Sequence, residues 1–118
     1  MQPLTEQELH TLAMNIVGRQ LEAEGYEFMG VNSKPKRNPQ FVCLKENQLH
    51  FIVVRSVTYF ADPGEFNDKL MLKIKEHALK FDARAWYAGV GLYNSEDCNL
   101  PVYLNEKYLV KYDGLIEI

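Results

Sequence analysis

One stretch, Gln40–Val57, limits the folds open to this chain more than any other. It contains two apolar runs, Phe41–Leu44 and Leu49–Val54, separated by the polar segment Lys45–Gln48. Polar segments that contain asparagine are typical of hairpin turns. The second run is apolar at consecutive positions, as expected for a strand that is buried on both faces of a sheet. The pattern predicts a hairpin whose second strand lies at the centre of a sheet.

Composition narrows the class of protein. The chain has 118 residues, of which 47% are hydrophobic and 25% are charged. These values are typical of globular proteins, and the length fits a single domain over residues 1–118. The net charge of -3 argues against a general binder of nucleic acid or of anionic membranes, but it is compatible with a local basic patch. No run has the length of a membrane span and no signal-peptide pattern is present, so the sequence predicts a cytoplasmic protein.

The cysteines and histidines do not form a metal or redox motif. Cys43 lies within an apolar run, which predicts a buried thiol, and Cys98 falls in a polar loop. Neither cysteine belongs to a C-x-x-C pair. His10, His50 and His77 are isolated from one another, and we expect His77 to be a partly buried residue on a helix face. The sequence therefore predicts no cofactor and no metal site.

Two helices are predicted on either side of the hairpin. The first is expected over about Glu6–Glu24, because a capping box at Thr5–Glu8 precedes apolar residues at helical spacing. Gly25 is a suitable C-terminal stop, since glycine readily takes the left-handed conformation. The second helix is expected over about Glu65–Phe81, where apolar residues again recur on one stripe.

The remaining apolar runs predict strands. Tyr26–Val31 precedes the hairpin, and Ala83–Tyr93 follows the second helix with Gly89 and Gly91 marking a bulge or a close approach of backbone. Short strands follow at the C-terminus, where Asp-Gly between apolar residues predicts a last hairpin. Its members are Tyr108–Tyr112, Asp113–Gly114 and Leu115–Ile118. The order of elements predicts an α+β (α/β) fold with a central mixed β-sheet flanked by two helices and with extra C-terminal strands.

A basic loop is predicted at Asn32–Pro39, where two prolines and several turn residues interrupt the apolar pattern. It holds Lys34, Lys36 and Arg37, which form the only basic cluster of the chain. A solvated loop is the simpler interpretation, and contact with phosphate groups is the alternative.

The element order and the residues around the hairpin resemble the core of the restriction-endonuclease-like superfamily, the PD-(D/E)-x-K nucleases. The resemblance is to a small bacterial family related to Holliday-junction resolvases. Leu21–Tyr26 matches the helix end Leu-x-x-x-Gly-Tyr of that family. Asn38–Val42 stands where its G-E-I-D-L-I strand would be, and Phe51–Arg55 stands where its V-F-V-E-V-K strand would be. The resemblance covers about residues 5–92 and implies a restriction-endonuclease-like core.

The positions that hold the metal in those nucleases are changed here. The resemblance places the strand aspartate at Gln40, the glutamate at Val53, the lysine at Arg55 and the helix glutamate at Met14 or Asn15. None of the residues at the acidic positions is a carboxylate, whereas a hard Mg²⁺ ion requires charged oxygen ligands. Arg55 keeps a positive charge but does not deprotonate to act as a base. The resemblance thus implies a degenerate active site, which favours a non-enzyme but leaves an enzyme open.

Two classes of function follow. The favoured class is a non-catalytic binding or scaffolding module that acts through a protein partner or through self-association. The strand-rich tail Tyr103–Ile118 suits a homodimer, since such strands pair across two-fold axes. Nucleic acid is a further partner for this class. Its candidate contacts are Lys34, Lys36, Arg37 and Arg55.

The second class is a residual metal-dependent nuclease whose acidic residues have migrated to Glu46, Asp62 or Glu65. Asp62 and Glu65, however, are explained more simply by capping and by the dipole of the second helix. The surroundings of Arg55 distinguish structural from binding roles. A buried carboxylate partner would indicate a structural ion pair, and an open cavity would favour binding of phosphate or carboxylate.

Overall fold

The chain forms one mixed sheet with a helix on each face, in a computed structural model that describes residues 1–118. The helices are α1 (Glu6–Ala23) and α2 (Asp68–Leu79). The strands are β1 (Glu27–Val31), β2 (Phe41–Lys45), β3 (Gln48–Val57), β4 (Ala83–Asn94), β5 (Tyr108–Lys111) and β6 (Ile116–Glu117). The sheet order is β1-β2-β3-β4-β5, with β6 also paired to β4. This arrangement confirms the predicted α+β fold.

The predicted hairpin is present, and β3 lies at the centre of the sheet. Its turn consists of Glu46 and Asn47, which have φ angles of 54° and 65°, the combination that matches the twist of two-residue hairpins. β3 pairs antiparallel with β2 and parallel with β4. Side chains Phe51–Val54 are at most 5% exposed, so both faces of β3 are covered, as its apolar run predicts.

Alternate residues of β3 and β4 divide the interior into two cores, one on each face of the sheet. The core under α1 includes Ala13, Met14, Val17, Leu21, Ile52, Val54, Ala88, Val90 and Leu92. The core under α2 includes Phe51, Val53, Met71, Ile74, Ala78, Ala83, Ala85 and Tyr87. The period of two along each strand assigns neighbouring residues to opposite helices. Neither helix is both long enough and apolar enough to cross a membrane.

The first helix begins and stops where the sequence predicts, and the second does not. The Thr5–Glu8 capping box is formed and Gly25 has a φ of 87°. α2 begins at Asp68, three residues later than expected, because Asn67 is its N-cap and accepts a hydrogen bond from the backbone N–H of Leu70. The segment before it is held elsewhere. The Tyr87 hydroxyl donates to the backbone oxygen of Glu65.

The capping role predicted for Asp62 is also wrong. Its carboxylate accepts the backbone N–H of Gly64 at 2.8 Å and so closes a local turn in the β3–α2 loop. Gly89 faces this loop at the buried Pro63, and the β3–β4 register runs without interruption from Leu49↔Ala83 to Val57↔Gly91. Of the two interpretations of Gly89, the close approach of backbone is therefore correct and the bulge is not.

The predicted C-terminal hairpin is not formed, because β5 and β6 pair with β4 instead of with each other. Lys111 lies opposite Gly91, and Ile116 lies opposite Tyr87. β4 is buried along most of its length, so its outer backbone groups require partners. Two short strands that run along the same edge supply them. Gly114, with a φ of 96°, lies in the segment that joins the two strands.

Candidate anion-binding site

A small open cavity lies where β3 leaves the sheet beside α1. Its volume is about 80 Å³, which is enough for a few water molecules or for one compact anionic group. One of its eight lining residues is hydrophobic. The lining consists of Glu6, His10, Pro35, Lys36, Asn38, Val54, Arg55 and Ser56. The first turns of α1, the basic loop and the carboxyl end of β3 thus meet at one place. Open sheets with parallel strands bind ligands beyond such strand ends.

Arg55 lines this cavity without a carboxylate partner. It is exposed, and the single salt bridge of the chain joins Arg84 to Glu117. A guanidinium carries five donors in a planar fork that fits phosphate and carboxylate groups. The surroundings of Arg55 therefore match the open cavity of the two cases set out above, and not the structural ion pair.

His10 lines the cavity and also carries a buried polar atom that is unpaired. The residue is only 3% exposed, and its Nε2 atom has no hydrogen-bond partner. Burial lowers the pKa of its imidazole, the charge of Glu6 opposes this change, and the charge of Arg55 adds to it. The ring is therefore neutral at pH 7. Buried polar atoms without a partner are rare, so this atom is an unusual feature of the residues around the cavity.

Gln40 does not line the cavity, but its side chain is hydrogen-bonded to two residues that do, Val54 and Asn38. It is 1% exposed, and its Oε1 atom accepts the backbone N–H of Val54 at 2.8 Å. Its Nε2 atom donates to Oδ1 of Asn38 at 2.8 Å, and its backbone N–H donates to the oxygen of Ile52. The side-chain amide thereby extends the β2–β3 ladder beyond Phe41 and joins it to the basic loop. The strand position that the resemblance gives to an aspartate has a structural role here.

The other two positions taken from the resemblance lie in the cores. Met14 is 5% exposed and lies on α1 in the core on that face of the sheet. Val53 is 1% exposed and lies in the core under α2. These two side chains face opposite sides of the sheet, and neither lines the cavity. Of the four positions Met14, Gln40, Val53 and Arg55, only Arg55 opens onto it.

The basic loop contributes one of its three cations to the cavity. Lys36, which has a φ of 66°, lines it, while Lys34 and Arg37 are exposed outside it. The loop is shaped by its own backbone, since the N–H of Arg37 donates to the oxygen of Lys34. This turn and the positive φ of Lys36 could not be recognised from the basic residues alone.

The structure does not bring the candidate migrated acids together. Glu46 lies in the hairpin turn at the opposite end of β3 from Arg55, while Asp62 and Glu65 lie in the β3–α2 loop. No group of three His, Cys, Asp or Glu side chains is arranged to hold a metal ion. The one carboxylate that lines the cavity is that of Glu6.

The site includes residues that the sequence analysis missed. His10, Glu6 and Ser56 line the cavity, but none of them belongs to a recognisable motif. The available signal was the spacing of Glu6 and His10, four residues apart, which places both on one face of α1. His10 also follows the apolar Leu9 on a helix with an apolar stripe, where a histidine looks like an ordinary core residue.

A family model described as a domain of unknown function (DUF8840) matches residues 7–118. The chain belongs to this family. No curated protein and no solved structure matches the chain. The match to DUF8840 extends from the first turn of α1 through β6 and thus includes every cavity residue except Glu6.

The other histidines and the cysteines of the DUF8840 domain lie outside the cavity. His50 is buried and accepts a hydrogen bond from Nε1 of Trp86 at 3.0 Å. His77 is exposed, so the prediction of partial burial is wrong. Its ring lies beside the rings of Phe51 and Phe81. Cys43 is buried, which raises the pKa of its thiol to about 11, and Cys98 is exposed. Both cysteines lie as predicted.

The DUF8840 domain is expected to lose stability in mild acid. Burial lowers the pKa of both His10 and His50 from the usual 6.5, so the unfolded chain takes up protons at a higher pH than the folded chain. The free energy of unfolding is therefore highest above 6.5 and falls as the pH drops through the range below it. Urea unfolding at about pH 7.5 and about pH 5.5 measures this loss. The loss should be smaller in His10→Leu, and an unchanged loss in that variant would contradict the assignment.

Proposed function

We propose that this DUF8840 domain is a non-catalytic binding module with a restriction-endonuclease-like core, and that it holds a phosphate group of a nucleic acid in the cavity beside Arg55. The observation that carries this proposal is the unpaired guanidinium of Arg55 at a cavity that is also lined by Lys36 and by His10, whose buried Nε2 has no partner. The order helix, three strands, helix, strand, with β3 and β4 parallel, supports the nuclease-like core.

Phosphate suits the cavity in charge and in hydrogen bonding. Lys36 and Arg55 supply two positive charges against the single carboxylate of Glu6. Asn38 and Ser56 add neutral side chains that can donate hydrogen bonds. The exposed cations on the same loop extend the basic surface beyond the cavity, which suits a polymer with regularly spaced phosphates. Such a local patch functions despite a net charge of -3, because charges beyond a Debye length of about 10 Å are screened.

A purely binding role fits the cavity better than catalysis. Metal-assisted phosphodiester hydrolysis uses several carboxylates to hold the ion and activate water. The cavity contains only one carboxylate, and the candidate acids Glu46, Asp62 and Glu65 lie elsewhere. The alternative of a residual metal-dependent nuclease therefore lacks a constellation of residues that supports it.

Replacing Arg55 with glutamine is expected to weaken binding of DNA at least tenfold. A charge-assisted hydrogen bond contributes about 1.5–3 kcal/mol, and each 1.4 kcal/mol corresponds to a factor of about ten in affinity. Fluorescence anisotropy with labelled single-stranded and branched DNA at low salt measures the change. Because Arg55 is exposed, the free energy of unfolding should change by less than about 0.5 kcal/mol.

Arg19→Gln is the matched control. It removes the same charge from an exposed residue of α1 that does not line the cavity, and its affinity for DNA should stay close to that of the wild type. Equal losses in the two variants, or no binding of any DNA by the wild type, would overturn the proposal. Calorimetry with Mg²⁺ and Mn²⁺ tests the alternative, which gains support if metal binds and if substitution of Glu46, Asp62 or Glu65 abolishes it.

Self-association through the C-terminal edge of the sheet is a second candidate. β5 is an edge strand whose side chains are all exposed, among them Leu109 at 55% and Val110 at 45%. An apolar edge with unpaired backbone groups favours pairing with a second copy across a two-fold axis. The homodimer stays a prediction, and a monomer in sedimentation velocity at high concentration would contradict it.

A further inference from the structure

Two aromatic rings lie stacked and exposed just beyond the end of β3. The ring centroids of Tyr59 and Phe60 are 4.7 Å apart and their planes are inclined by 13°. Tyr59 is 46% exposed and Phe60 is 84% exposed. A large apolar ring left in water contributes little to folding, so a pair of them in parallel orientation indicates a binding surface.

These rings adjoin the proposed phosphate site. A shallow groove that they line together with Val57 and Thr58 shares Glu6 and Ser56 with the cavity. Along the chain, Arg55 precedes Tyr59 by at most about 14 Å of extended backbone. A cationic cavity and a flat aromatic surface are thus neighbours on one side of the domain.

The loop that carries the rings is tied to the body of the protein. The backbone N–H of Ala61 donates to the oxygen of Thr58 at 2.9 Å, which closes a turn around the two rings. The next residues form the Asp62–Gly64 turn, and Pro63 is buried against β4. The aromatic pair is therefore presented by a loop that two turns and the buried Pro63 hold against the sheet.

We propose that Tyr59 and Phe60 form a stacking platform for a base of single-stranded nucleic acid whose phosphate group occupies the cavity beside Arg55. This inference rests on the proposed function and names its ligand. Every base has a π-face, so stacking on exposed rings next to a basic groove suits single strands of many sequences. In a duplex the bases are already stacked on one another and are not available to the platform.

Charge complementarity favours this occupant over an apolar protein segment. Lys36 and Arg55 line the cavity that adjoins the rings. Lys34 and Arg37, on the same basic loop as Lys36, are exposed outside the cavity. A strand that alternates phosphates and bases matches cations beside aromatic rings, whereas an apolar segment would leave the cations unused. Glu6, which lines both the cavity and the groove, repels phosphate and should restrict its place to the side of Arg55.

The test compares strands that differ only in their bases. Wild-type protein is titrated with a labelled single strand, with the same strand made abasic, with the corresponding duplex and with inorganic phosphate as competitor. The ordinary strand should bind at least fivefold more tightly than the abasic strand or the duplex. Phe60→Ala should reduce this difference, with Tyr59 as the remaining ring, and leave the affinity for the abasic strand unchanged.

Two further variants complete the test. Phe60→Trp keeps a stacking ring and should retain the preference for bases. Leu72→Ala removes a side chain that is 57% exposed on α2 and should change nothing. Equal affinity for ordinary and abasic strands would overturn the platform and leave the phosphate site intact. The same conclusion would follow if Phe60→Ala changed self-association in sedimentation velocity but did not change the binding of either strand. Failure of all phosphate-containing ligands to bind would instead overturn the proposed function itself.

Discussion

Replacing Gly89 with alanine is expected to destabilise the domain by about 3 kcal/mol, near the upper end of the cost of overpacking. A Cβ atom at this position would lie 1.8 Å from the backbone oxygen of Pro63 and 2.8 Å from the ring of Tyr87. β4 has no freedom to move away, because Gly89 is paired with Arg55 in an uninterrupted parallel ladder. The β3–α2 loop must therefore shift, and the buried packing of Pro63 is lost.

Gly30→Ala is the matched control for this substitution. A Cβ atom on Gly30, in the exposed edge strand β1, would come no closer than 3.9 Å to Val42. Its free energy of unfolding should stay within about 0.5 kcal/mol of the wild type. Urea unfolding at neutral pH measures both variants, and equal midpoints for Gly89→Ala and Gly30→Ala would contradict the steric argument.

The substitution at Gly89 also bears on function. The loop that Pro63 anchors carries Tyr59 and Phe60, so Gly89→Ala should displace the proposed stacking platform. Single-stranded DNA should then lose its advantage over the abasic strand at temperatures where the variant is still folded. This link between a buried glycine and an exposed aromatic pair follows from packing across the end of the sheet.

Local signals explain why much of the fold was predicted from the sequence. The capping box at Thr5–Glu8 and the glycine at position 25 fix the ends of α1 within a few residues of chain. The polar turn and the consecutive apolar residues of β3 determine the hairpin and its central place in the same way. Each of these features depends on neighbours in sequence.

The errors concern elements whose limits depend on distant partners. α2 begins late because the segment before it is held by Tyr87, and the segment from Glu65 to Asn67 stays outside the helix. β5 and β6 pair with β4 because the edge of that buried strand needs partners, although Asp113–Gly114 has the sequence of a hairpin turn. For α2 the contact of Tyr87 adds to the Asn67 cap, whereas for β5 and β6 tertiary contacts override local turn propensity.

The candidate site was predicted only in part for a related reason. Arg55 was found because the resemblance places the nuclease lysine there, and Lys36 was found because a basic cluster in a loop is visible in sequence. The cavity itself is assembled from α1, the basic loop and β3, so the contribution of His10 depends on which helix face meets which strand end. The aromatic pair Tyr59 and Phe60 could not be recognised as a surface feature from the sequence, because exposure of a ring is a property of the folded loop.

Gln40→Glu, the second large effect, is expected to destabilise the domain by about 3 kcal/mol at neutral pH. The position is 1% exposed, and burial of a carboxylate is costly unless it is fully paired. The side-chain amide now accepts from Val54 and donates to Asn38, whereas a carboxylate has no proton to donate. Gln40→Leu removes the same hydrogen bonds without adding charge and should cost about 1–3 kcal/mol, mainly through the unpaired N–H of Val54.

The pH dependence of the two variants separates charge from lost hydrogen bonds. Burial raises the pKa of a carboxyl group, so Glu at position 40 would be protonated in the folded state at a pH where it is ionised in the unfolded state. The free energy of unfolding that Gln40→Glu loses relative to the wild type should therefore become smaller as the pH falls from about 7.5 to about 5. The free energy that Gln40→Leu loses should stay constant over the same range. Urea unfolding of the three proteins at both pH values measures this. If Gln40→Glu were as stable as the wild type at neutral pH, the ladder would tolerate an acid behind Arg55, and the cost argued here for a buried carboxylate at this position would be wrong.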